Sequence, residues 1–183
     1  PFLGVYGACS TATESLMVLS AFMSCSEGRK YGAAVTSSHN SAAERQFRTP
    51  IEYGGQRAET AQWTSTAAGA FILGRGEGDI MLTEFMPGRI VDGSTSDGAN
   101  MGGAMAFAAF DSISEYVDRT DENIMDVDLI VTGDLGRVGS DILRELISKK
   151  YPGLERRHTD CGLLLYDMEK QDAHSGASGC GTS

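Results

Sequence analysis

Basic residues are scarce in this chain of 183 residues: 15 lysines and arginines stand against 25 aspartates and glutamates, a formal net charge of −10. A phosphate backbone would be repelled by that average field, which argues against nucleic acid as a partner. No apolar run approaches the ~20 residues that span a bilayer, and no basic segment with an apolar core opens the chain. Cysteine is sparse as well. Cys9, Cys25, Cys161 and Cys180 are too few and too scattered for a disulfide framework, so a soluble chain in a reducing, intracellular compartment is expected. No CxxC pair or HExxH helix accompanies His158, Cys161, His174 and Cys180, which leaves no recognisable metal site. Cofactor fingerprints are lacking too. Residues 133–136 and 176–181 are glycine-rich, yet neither matches GxGxxG or the phosphate loop with its lysine and hydroxyl, and the plain reading is tight turns. Position 1 is Pro1 rather than methionine, and the chain stops just after a glycine-rich run. The expectation is a piece of a longer protein.

What the chain does carry, at 41% hydrophobic residues, is enough apolar side chain for a substantial core in one compact unit. Residues 2–6 read as a short buried strand. Residues 10–26 read as a helix with so little polar face that burial on nearly all sides is expected. Thr11 with Glu14 has the spacing of a capping box at its start, and Cys9 lies just before the first turn, where the peptide dipoles favour a thiolate. A β-rich run over 31–38 precedes a polar loop over 39–62, too long to be a mere connector. Residues 63–73 and 79–85 read as antiparallel strands about a glycine turn at 74–78. Helical spacing returns over 101–117. The most regular unit follows: a parallel-type strand at 128–132, a glycine-rich turn at 133–139, and an amphipathic helix at 140–150 with Ile142, Leu143, Leu146 and Ile147 as its buried stripe. A further strand is expected at 161–166 and a small-residue turn at 174–181. Strands alternating with helices predict an α/β protein with mixed sheets.

Two readings of Cys9 stand open on the residues alone. A nucleophilic thiol needs a base and an oxyanion hole, and His39, His158 and His174 are the imidazoles on hand. A small buried cysteine that only packs is the alternative. Arg45, Arg48 and Arg57 gather in the 39–62 loop of an otherwise acidic chain, where guanidinium forks could take a small anionic ligand or pair locally with Glu44, Glu52 and Glu59.

Motifs along nearly the whole chain resemble the stage V sporulation protein AD family. They include Tyr6-Gly7-Ala8-Cys9-Ser10-Thr11, Ser37-Ser38-His39, Ala43-Glu44-Arg45-Gln46-Phe47-Arg48, Thr60-Ala61-Gln62-Trp63-Thr64, Thr159-Asp160-Cys161-Gly162 and the turn at 174–181. The resemblance implies a thiolase-like α/β fold, two similar halves stacked in helix and sheet layers. Residues 1–92 would be the remainder of the first half and 93–183 part of the second. It implies binding of dipicolinic acid and assistance to its uptake into the developing spore. Membrane subunits of the same spore transport complex would be partners, the location would be peripheral at the forespore or spore inner membrane, and a homodimer is expected.

Condensing enzymes of the same fold place their nucleophile where Cys9 stands. Their histidine position is Gly133, followed by Asp134, and their asparagine position is His174. The thiol is kept without its usual partners, which favours a non-catalytic binder over an acyltransferase in which Cys9 works with His174. No cofactor is implied. On this reading Cys9, Asp134 and His174 mark the ligand site, with Arg45 and Arg48 as the carboxylate contacts.

Overall fold

A computed structural model describes residues 2–43, 45–50, 53–76, 78–120 and 123–179. Its first layer forms because the run Tyr31–Ser38 (β1) finds an antiparallel partner in Ala67–Gly74 (β3), in unbroken register from Tyr31 opposite Gly74 to Ser38 opposite Ala67. Side chains alternate across a strand. Ala34 and Thr36 are therefore buried on the side facing helix Thr11–Cys25 (α1), while Tyr31, Val35 and, from β3, Ile72 stand exposed on the other. Only one face of α1 meets this ribbon: Ala12, Ser15 and Met23 are buried and Phe22 is exposed. The expected burial on nearly all sides is not observed, since no second described layer lies against the helix.

The second layer is a βαβ unit. Ile130–Thr132 (β4) runs into helix Gly136–Lys150 (α4) and on to His158–Asp160 (β5), which pairs with β4 in parallel. Leu143 and Ile147 of α4 are fully buried with Leu135, Leu154 and Ala106, the last from helix Met101–Arg119 (α3). Ile142 is packed at the edge of the same cluster. The helices α3 and α4 cross at glycine on glycine. A Cβ at Gly139 would lie 2.5 Å from the Gly102 carbonyl oxygen, so only glycine permits the approach. Between the layers, Trp63–Thr64 (β2) pairs in parallel with Ala177–Ser178 (β6). The remaining helix, Arg45–Arg48 (α2), is a single turn.

Three expected strands are corrected. Residues 2–6 form no strand, and Phe2 and Leu3 are exposed. Residues 79–85 likewise form no strand; Ile80, Met81, Leu82 and Phe85 are exposed, and β3 pairs with β1 instead. A strand is defined by its neighbour, and an apolar run without one does not become a strand. The strand expected at 161–166 lies upstream at β5, because Asp160 turns the chain there into a 3-10 turn, Cys161–Leu163. The glycine-rich turn is shorter than expected, with α4 already under way at Gly136. The whole is a mixed α/β arrangement of helices and small sheets, consistent with a piece of a thiolase-like layered fold.

Candidate functional site

Cys9 lies in a 3-10 turn, Ala8–Ser10, that runs directly into α1. The turn is set by Ala8, whose φ of 49° is in the left-handed region, at a cost of roughly 1–2 kcal/mol for a residue with a Cβ. The expected capping box is absent. Thr11 is already the first helical residue, so its hydroxyl reaches backward, accepting from the Gly7 N–H at 3.1 Å and donating to the Ala8 carbonyl at 2.7 Å. The helix N-cap, Ser10, makes no side-chain cap bond.

In front of this turn is a cavity of about 380 Å³. Its apolar wall includes Val5, Phe47 and Met101; its polar side includes Cys9, Ser38, His39, Thr64, Ser178 and Gly179. Those residues come from the lead into α1, the end of β1, the single-turn α2, β2, the start of α3 and β6. No Asp, Glu, Lys or Arg is among the described residues lining it.

A knot of hydrogen bonds fixes the polar side. Gly179 donates its N–H to Asp134 Oδ2 at 2.8 Å, and Ser38 Oγ donates to the Ser65 carbonyl at 2.9 Å. Buried Gln62 donates from Nε2 to the carbonyls of Asp134 and Ala177, at 2.7 and 2.8 Å. Behind them Asp160, fully buried, accepts four bonds. Oδ1 takes the Thr132 hydroxyl at 2.6 Å and the Leu135 N–H at 3.0 Å; Oδ2 takes the N–H groups of Gly136 at 2.8 Å and Gly162 at 3.0 Å. A carboxylate is the side chain that offers acceptors alone, and it sits where the first N–H groups of α4 would otherwise be unpaired. His158 completes the chain, with Nε2 at 2.8 Å from Thr132 Oγ1. Burial pushes its imidazole below the ordinary range, helped by Arg144 and opposed by Asp160. The Cys161 thiol is pushed up by burial, with Asp160 and Asp134 adding to the effect, which keeps it protonated and unreactive.

The expected site residues separate into groups. Cys9 is at the cavity. Asp134 is buried behind it and acts through Gly179. Gly133 has no side chain to contribute. His174 is not beside Cys9: it does not line the cavity, its Nδ1 is 3.0 Å from the Ala58 carbonyl, and its Nε2 is 2.8 Å from Asp172 Oδ1. Positive φ at His174, 49°, turns the chain so that 175–179, not the imidazole, approach the site. Arg45 and Arg48 flank Phe47 outside the lining. Arg45 hydrogen-bonds to and stacks on Tyr53, and Arg48 Nε donates to the Ala43 carbonyl at 2.7 Å. Arg57 is buried, its guanidinium 4.4 Å above the Trp63 ring and donating to the Asp172 carbonyl at 2.9 Å. Glu44, Glu52, Cys180 and Gly181 lie outside the described residues. Among those described, no group of three His, Cys, Asp or Glu is arranged to hold a metal ion.

Sequence reasoning did not single out Asp160 or assign His39 to the cavity. For Asp160 a signal was present: an aspartate followed two positions later by glycine is an Asx-turn pattern, and Asp160 does accept from Gly162 N–H. For His39 the signal is only its place at the end of β1.

Comparison with known proteins identifies the family. The family model for stage V sporulation protein AD (SpoVAD) matches residues 1–183. The chain is also 42% identical over 183 residues to stage V sporulation protein AD of Bacillus subtilis (strain 168), covering 100% of this chain and 54% of that protein. It belongs to the stage V sporulation protein AD family, and spans about half the length of the curated relative it matches.

Proposed function

We propose that this member of the stage V sporulation protein AD family serves sporulation as a non-catalytic binder of dipicolinic acid, pyridine-2,6-dicarboxylate, and assists its uptake into the developing spore. The supporting observation is the cavity at Cys9: about 380 Å³, apolar along Val5, Phe47 and Met101, polar along Ser38, His39 and Gly179, and without an acidic side chain among its described lining residues. That size falls in the range of roughly 300–1,000 Å³ usual for small-molecule sites. A planar aromatic dianion needs an apolar surface for the ring and donors at its edge, and in a chain of net charge −10 it needs carboxylates kept away.

Cys9 contacts the ligand in this reading, while Asp134 and His174 shape the turn that carries Ser178 and Gly179. Arg45 and Arg48, on either side of Phe47, raise the local positive potential and draw the dianion in. Neither Gly133 nor the engaged His174 offers Cys9 a base, which favours binding over acyl transfer. Among the described residues no helix is long and apolar enough to cross a membrane. In this reading delivery to the spore runs through membrane subunits of the same complex, with this protein, as a homodimer, peripheral at the spore inner membrane.

Isothermal titration of the full-length protein with dipicolinate tests the reading. Saturable heat is expected, with benzene-1,3-dicarboxylate binding more weakly. No saturable heat, or identical behaviour of the two, would refute it. Mass spectrometry after incubation with acyl-CoA tests the non-catalytic part, and an acyl adduct on Cys9 would overturn it.

A further inference from the structure

We infer that His39 is the hydrogen-bond donor that selects a ligand carboxylate in the cavity at Cys9; the inference rests on the dicarboxylate reading above. Two observations carry it. The first is what the lining leaves out: with no lysine or arginine among its described residues, His39 is the one basic side chain there. Arg45 and Arg48 are directed to Tyr53 and to the Ala43 carbonyl.

The second observation is the state of the ring. His39 caps the 3-10 turn Asn40–Ala42, and its Nδ1 accepts the backbone N–H of Ser41 at 3.2 Å with the Ser41 hydroxyl 2.7 Å away. A backbone N–H can only donate, so Nδ1 carries the lone pair and the neutral ring holds its proton on Nε2. Nε2 has no partner among the described residues. The turn is braced in addition, since Asn40 N–H donates to Thr66 Oγ1 at 3.0 Å. A donor of fixed tautomer on a held backbone thus lines the cavity with no protein acceptor to occupy it. A carboxylate oxygen is the acceptor it fits, and the polar groups nearby, Ser38 and Ser178 among them, can serve the same anion.

The test is the dissociation constant of dipicolinate for the full-length protein carrying wild-type His39, H39F or H39Q. Phenylalanine keeps a ring and removes the donor; the glutamine amide places an N–H near the Nε2 position. A hydrogen bond to a charged group sets the expected loss for H39F at about 10- to 100-fold, with H39Q retaining most of the affinity. Wild-type affinity in H39F overturns the inference and leaves the dicarboxylate reading intact. Equal losses in H39F and H39Q also overturn it, since packing of the ring would then be what matters. Absence of saturable binding to the wild type removes the underlying reading itself. Should H39F fail to fold by circular dichroism, H39N, whose shorter amide stands near Nδ1, takes its place in the comparison with H39Q.

Discussion

Replacing Asp160 by asparagine separates a carboxylate needed as acceptor from one that merely fills space. Both oxygens of Asp160 receive backbone N–H groups, Oδ1 from Leu135 and Oδ2 from Gly136 and Gly162. An amide cannot serve both sides. With its oxygen at the Oδ1 position, the NH2 faces the N–H groups of Gly136 and Gly162. With its oxygen at Oδ2, it faces Leu135 N–H, and the Thr132 hydroxyl must reverse, which in turn requires His158 to move its proton from Nε2 to Nδ1. The second arrangement keeps one more bond, but it leaves the Leu135 N–H unpaired and puts a proton on the buried His158 Nδ1, which has no acceptor among the described residues. Leaving a buried donor unpaired costs roughly 1–3 kcal/mol, so Asp160→Asn is expected to destabilise the full-length protein by about 2 kcal/mol. Asp160→Ala leaves three backbone donors without an acceptor, two at the start of α4 and one in the turn Cys161–Leu163, and should cost about 3–5 kcal/mol after water enters the space. Urea denaturation gives the magnitudes, and hydrogen exchange at Gly136 and Gly162 locates the loss. If Asp160→Asn is within about 0.5 kcal/mol of wild type, the carboxylate is not the clamp described.

Two further changes probe the same half of the molecule. Gly139→Ala brings a Cβ to 2.5 Å from the Gly102 carbonyl oxygen and should separate α3 from α4, lowering stability by about 1–3 kcal/mol; an unchanged thermal midpoint would contradict the crossing. His158 titrates below its ordinary value of 6.5 because of burial, so the folded state resists a proton that the unfolded state accepts. Its contribution to stability is complete above about pH 6.5 and declines as pH falls from there toward the folded value. A melting series between about pH 7.5 and 5.5 should show that decline reduced in His158→Gln, and parallel curves for the two proteins would disprove the assignment.

Local periodicity made the βαβ unit readable. Leu143 and Ile147 recur at helical spacing and are the buried side chains of α4, and the β-rich run at 31–38 is β1 because its small and branched residues suit a pleated surface. Residues 2–6 and 79–85 have the same apolar character and are not strands, since pairing depends on a neighbour that a local pattern does not specify. The site follows the same division. Cys9 was legible because a helix start marks its own surroundings. The displacement of His174 from Cys9 was not, because a side chain's direction depends on the turn that carries it, here one with φ of 49°.

Composition and spacing alone determined the acidic balance, the α/β class and the position of Cys9 ahead of a helix, and the family was legible only through the resemblance of its motifs. Tertiary structure decided which residues share the cavity. His39, Thr64 and Ser178 are distant along the chain and meet only because β1, β2 and β6 end beside the lead into α1. It also decided that Asp134 and Asp160 accept backbone N–H groups. A buried N–H must find an acceptor wherever the fold puts it, and which carboxylate answers is a property of the packed chain, not of the local sequence.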